Sequence, residues 1–127
     1  MAKTRVGSHP SYGGQVVVNA TSSFSLDPSD SGKVFILKGA AVTVTLPTLS
    51  TNLAGFQITL ISGDDNEHIL SGGASKIYAI VVQVTATTRT AAASTLTLSA
   101  GEIGDTMTVS TDGTNWYVQC LGNAAAS

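Results

Sequence analysis

Apolar and polar residues alternate along most of the chain, and the alternation has a period of two. Met107 and Val109 are interleaved with Thr106, Thr108 and Ser110; further on, Trp116, Val118 and Cys120 alternate with Tyr117, Gln119 and Leu121. That is the signature of half-buried β-strands. Between the two runs Asp112-Gly113 supplies a hairpin turn, with Gly113 taking the positive φ that a tight turn requires. Trp116 is the only tryptophan and stands just past the turn, so it is expected to anchor the turn to a core. Asp112, Gly113 and Trp116 are read as the structural anchor of a closing hairpin.

Upstream, residues 15–20 form a strand candidate, and Phe24 and Leu26 alternate with Ser23 and Ser25. Turn formers fill residues 27–32. Residues 33–37 are apolar on both faces, which places them centrally in a sheet. Val42, Val44 and Leu46 make a half-exposed strand that Pro47 ends. Residues 48–55 connect, with one helical turn, to a strand over 56–61. The acidic stretch 63–68 is expected to be an exposed hairpin tip, followed by a short strand at Ile69-Leu70 and a turn at Gly72-Gly73. Residues 77–90 read as one long strand, or two with a bulge; Ala91-Ala92-Ala93 reads as a loop, and 95–98 as a strand. No segment has a helical period. The pattern predicts an all-β fold, a compact sandwich or barrel-like domain of about nine or ten short antiparallel strands. It occupies residues 15–121, between a flexible N-terminal arm (1–14) and a C-terminal tail (122–127), and no internal repeat is visible.

Composition changes this picture in one respect. Only 11% of the 127 residues are charged, with a formal net charge of -2, while 43% are hydrophobic. Soluble domains carry about 25% charged residues, and obligate interfaces are depleted in charge, so the composition favours an assembling protein. The arm's two charges, Lys3 and Arg5, are both positive, too few for the phosphate contacts that nucleic-acid affinity requires. Met1 to Arg5 are followed, after Val6, by Gly7 and Ser8 rather than an apolar run, and no stretch approaches the length of a membrane helix. Neither secretion nor membrane insertion is expected, and Asn19-Ala20-Thr21 is read as a chance match to the glycosylation sequon.

Candidate chemistry is sparse. Asp64-Asp65-Asn66-Glu67-His68 gathers oxygens and one imidazole, but its spacing fails the EF-hand pattern. Neither His9, in the arm, nor His68 makes a convincing base for a nucleophile. The lone Cys120 shares the apolar face of Trp116 and Val118 and reads as a buried structural thiol. No glycine-rich phosphate loop and no aromatic platform interleaved with basic residues occurs. The expectation is a non-enzyme with no cofactor and no metal.

Several landmarks carry a resemblance: Leu26 with Asp30-Ser31-Gly32-Lys33-Val34-Phe35, Val44-Thr45-Leu46-Pro47, Ala54-Gly55-Phe56, Gly104-Asp105, and Asp112-Gly113-Thr114-Asn115-Trp116-Tyr117-Val118. In this order they resemble a small β-rich virion module of tailed bacteriophages, found in head decoration proteins and in tail-fibre or tail-spike proteins. The resemblance implies a trimer. A short chain with its own initiator Met and no shaft suits a capsid decoration (cement) protein. Such a protein would be made in the host cytoplasm and sit on the outer capsid surface, bridging subunits of the major capsid protein. Lys3, Arg5 and His9 are the candidate capsid contacts, with Asp64, Asp65 and Glu67 facing away. The alternative is a receptor- or carbohydrate-binding tip, for which Tyr12, Tyr78 and Tyr117 are the available tyrosines.

Overall fold

The computed structural model describes residues 15–73, 75–84, 86–98 and 102–127, and folds them into twelve strands in two sheets. The strands are β1 (Val17–Ala20), β2 (Phe24–Ser25), β3 (Val34–Leu37), β4 (Val42–Thr45), β5 (Gln57–Ser62), β6 (His68–Ser71), β7 (Ile77–Val82), β8 (Thr87–Ala93), β9 (Thr95–Leu98), β10 (Thr106–Thr111), β11 (Trp116–Leu121) and β12 (Ala124–Ala126). The larger sheet has the order β1-β3-β5-β10-β11-β7-β8 and the smaller β12-β9-β6-β4-β2. The all-β class follows from the period of two, but the expected antiparallel arrangement does not hold. Five of the ten ladders are parallel.

The parallel ladders come from the way the first half of the chain winds. Odd strands β1, β3 and β5 lie side by side in the larger sheet, and even strands β2, β4 and β6 in the smaller. The chain therefore makes three parallel windings. Val17, Val34 and Thr59 occupy equivalent positions across them, yet the corners and return segments differ in length, which is why no repeat shows in the sequence. The corners stack: Lys38 N donates to Ala20 O at 2.9 Å, and Gly63 N to Leu37 O at 2.8 Å. The hairpin β10–β11 then inserts beside β5, and β9 and β12 extend the smaller sheet by antiparallel pairing.

The core lies between the sheets. Leu37, Ile58, Leu60, Met107 and Trp116 face it from one side and Val42, Val44, Leu70, Leu96 and Leu98 from the other, all essentially inaccessible to solvent. Phe56 packs edge-on against Trp116, with ring centroids 5.7 Å apart, a geometry that aromatic quadrupoles favour.

Three local expectations change. Ala91-Ala92-Ala93 is not a loop but the end of β8, with Ala93 opposite Ile77 and buried. The last six residues are not a loose tail: β12 pairs with β9, and Ser127 and Thr95 exchange backbone bonds of 3.1 Å. The stretch 63–68 is a corner between sheets rather than a hairpin tip, and it buries His68. The arm (1–14) lies outside the described residues.

Candidate functional site

Registers across the larger sheet place the outward side chains in rows. One row runs Gln57, Ser110, Tyr117, Tyr78; the next runs Val17, Val34, Thr59, Thr108, Gln119, Ile80, Arg89. A third runs Asn19, Ile36, Ile61, Thr106, Leu121, Val82, Thr87. Among the Lys, Arg, Asp and Glu of the described residues, Arg89 alone lies within a strand. The outer face is thus broad and nearly uncharged.

Two features stand on this face. At one end Tyr78 and Tyr117, both exposed, lie side by side with ring centroids 6.4 Å apart and a 37° tilt. Tyr78 sits where the β7–β8 register shifts, and such bulges re-aim side chains and bend the strand. The resulting groove, about 530 Å³, is lined by Gln57, Ser110, Gln119 and Arg89 as well as the tyrosines. At the other end Leu121 (61% exposed) and Val82 (42%) are cross-strand partners, and with the fully exposed Val84 they line a second hollow that Glu102 and Asp105 also line. Ile103, in the turn before β10, is exposed as well (76%). The alternation in β11 had already put Tyr117, Gln119 and Leu121 on one face. That Tyr78, Arg89 and Val82 join them was not legible, because nothing in the sequence says that β7 runs parallel beside β11.

The hairpin anchor assembles as a bonded turn. Asp112 Oδ1 accepts from Thr114 N at 2.9 Å and Asn115 N at 3.0 Å, while Thr111 Oγ1 accepts from Gly113 N at 2.9 Å and donates to Asn115 O at 2.6 Å. The bonds from Asn115 N, then Thr114 N, hold the Asp112 carboxyl below its ordinary pKa. Gly113 has φ +93°, and a Cβ there would lie 2.7 Å from Ser50 O, so the turn is seated tightly on the connection before β5. The Tyr117 hydroxyl donates to Asp112 Oδ2 at 3.1 Å, tying the groove to the anchor.

The acidic corner turns out to be a tie between windings. Asp64 Oδ2 accepts from Gly39 N at 2.6 Å, in the corner between β3 and β4, and Asp64 Oδ1 meets His68 Nε2 at 2.8 Å. Since an ionised carboxylate only accepts, Nε2 carries the proton. Asn66 bonds both carboxylate oxygens. The Gly39 bond, with those of His68 and Asn66, holds the Asp64 carboxyl well below its ordinary 3.8 despite partial desolvation. Asp65 and Glu67 are exposed, whereas Asp64 is turned inward to these bonds. His68 is 1% exposed and its Nδ1 has no partner among the described residues, so no hydroxyl or thiol is held there for activation. Among the described residues no group of three or more His, Cys, Asp or Glu could hold a metal ion, and no helix is long and apolar enough to cross a membrane.

Cys120 is buried on the inner face of β11, and burial, with the nearby Asp105 charge, pushes its thiol up to about 11. Because the thiolate is the reactive form, iodoacetamide at pH 8 is expected to leave the native protein unlabelled and to modify it only once unfolded. Prompt native-state labelling, read by mass spectrometry, would contradict the burial.

Lys3, Arg5, His9 and Tyr12 lie outside the described residues. Comparison with protein-family models and with curated proteins finds no match.

Proposed function

We propose that the protein is a virion surface component of a tailed bacteriophage, a capsid decoration protein that assembles as a trimer and bridges neighbouring subunits of the major capsid protein. The observation that carries this reading is the outer face of the larger sheet, whose strands carry Arg89 as their single charged residue among the described residues and where Val82 and Leu121 stand exposed as cross-strand partners. Exposed apolar side chains paired on a face of this kind mark an interaction site, and here they support self-association. Binding only to the assembled shell would stabilise that shell by mass action. The remainder of the reading rests on the resemblance of the folding landmarks, several of which are now turns and strand ends of one two-sheet domain. In this reading the protein has no catalytic role, and Lys3, Arg5 and His9 make the capsid contact.

Sedimentation equilibrium of the full chain, together with cosedimentation on expanded, undecorated capsids, tests both parts. A trimer with saturable binding is the expected result; a monomer that leaves capsids in the pellet alone overturns the reading. Val82→Asp with Leu121→Asp should weaken self-association by on the order of a hundredfold or more, since carboxylates would be buried unpaired. Deleting residues 1–14 should abolish capsid binding and leave the mass of the assembly trimeric. Unchanged capsid binding by that truncation would remove the arm from the contact.

A further inference from the structure

We propose that the tyrosine groove on the outer face of the larger sheet binds a saccharide bearing a carboxylate, a sugar of the uronic or sialic acid kind. The inference stands on the groove alone and does not depend on the virion reading.

Three features of the groove point to this chemistry. First, Tyr78 and Tyr117 line it with exposed rings, and the Tyr117 hydroxyl already donates to Asp112. The electron-rich ring faces are therefore what these residues offer, and they suit the weakly positive C–H face of a sugar ring. Second, Gln57 and Gln119 flank the rings. A primary amide both donates and accepts, matching hydroxyl groups that do the same. Third, Arg89 stands on the same face as Ile80 and Gln119, three adjacent strands spanning about 10 Å. It pairs with no carboxylate among the described residues. A guanidinium binds a carboxylate through two parallel N–H bonds, so the charge selects an acidic ring over a neutral one. The volume, about 530 Å³, falls in the range of small-ligand sites, roughly 300–1,000 Å³.

Other occupants fit less well. A nucleic-acid strand needs several phosphate contacts, and the groove holds one cation. A second copy docked face to face would bring no strand carboxylate to Arg89, and the carboxylate nearest this groove, Asp112, is already held by Thr114 N, Asn115 N and the Tyr117 hydroxyl.

The test is calorimetric titration of the full chain with trigalacturonate and with sialyllactose, using lactose as the neutral probe. At least one acidic probe is expected to bind saturably, with lactose at least about tenfold weaker. Arg89→Gln should erase that preference, and Tyr78→Ala should weaken binding of the acidic probe about tenfold or more. Both side chains are exposed, so the circular dichroism spectrum and the solution mass should stay as in the parent protein. No saturable binding of either acid up to about 10 mM, or binding indifferent to both substitutions, overturns the proposal. A change of solution mass in Tyr78→Ala also overturns it, assigning the groove to a second copy. Failure of capsid binding leaves the saccharide result untouched, so the two readings fail separately.

Discussion

Replacing Trp116 by Ala is expected to remove about 3–5 kcal/mol of folding stability, the usual cost of emptying a buried aromatic site. That is a large share of a total of about 5–15 kcal/mol for a domain of this kind. The expectation follows from position. Trp116 has no exposed surface, opens β11 opposite both Thr111 and Ile77, and holds Phe56 edge-on. Its loss opens a cavity where β7, β10 and β11 meet, and neighbouring strands cannot collapse into it without breaking their ladders. The indole Nε1 has no hydrogen-bond partner among the described residues, so Trp116 acts through size and shape rather than through its polar atom. Trp116→Phe should therefore lose far less than Trp116→Ala, because it keeps most of the ring and deletes a buried donor whose isolation is unfavourable. Urea unfolding followed by circular dichroism measures both. Equal losses in the two variants would mean that the indole N–H, not the packing, is what matters.

Asp64→Ala is expected to be the most damaging change at any charged residue, costing about 2–4 kcal/mol as several bonds to one carboxylate are lost and a buried donor is stranded. The carboxylate holds Gly39 N and His68 Nε2 at once, so it links two successive corners of the windings. Without it, the N–H of a histidine that is 1% exposed faces no acceptor. Asp64→Asn keeps a single carbonyl acceptor and should lose less. Trp116, the only tryptophan, reports unfolding in both variants.

The same carboxylate sets an acid limit. Its folded pKa lies below the ordinary 3.8, chiefly through the Gly39 bond. The unfolded chain therefore takes up the proton first as pH falls. The stabilisation is complete above about pH 5, where both states are ionised, and is lost progressively as pH drops through the ordinary value toward the folded one. Asp27, held down mainly by the Ser29 hydroxyl, and Asp112, held down mainly by Asn115 N, act in the same direction. Stability of the parent protein should fall steeply below pH 4, and Asp64→Asn should flatten part of that fall. A slope identical in the two proteins would show that Asp64 is not the group titrating.

How much was legible from the residues depends on the range of the interaction. The β10–β11 hairpin, its turn at Asp112-Gly113 and the inward face of Trp116, Val118 and Cys120 were all readable, since they depend on neighbours within a few positions. His68 was misjudged because it follows four polar residues; what buries it is strand β6, paired with Val42 and Leu98 from distant parts of the chain. Ala124–Ala126 looked like a tail for a similar reason: three alanines have little strand preference of their own and are held by β9.

Local pattern was enough for the all-β class, the positions of most strands and the core side of the alternating ones such as β4, β10 and β11, because side-chain alternation is a local consequence of strand geometry; it did not give the sides of β3, where both faces are apolar. Apart from the β10–β11 hairpin, strand neighbours came from the tertiary fold alone. Parallel partners are separated by long connections and paired through backbone bonds common to every residue type, so they leave no periodic trace. The three windings, the Asp64 tie between their corners, and the meeting of Tyr78, Tyr117 and Arg89 on one face all depend on that pairing.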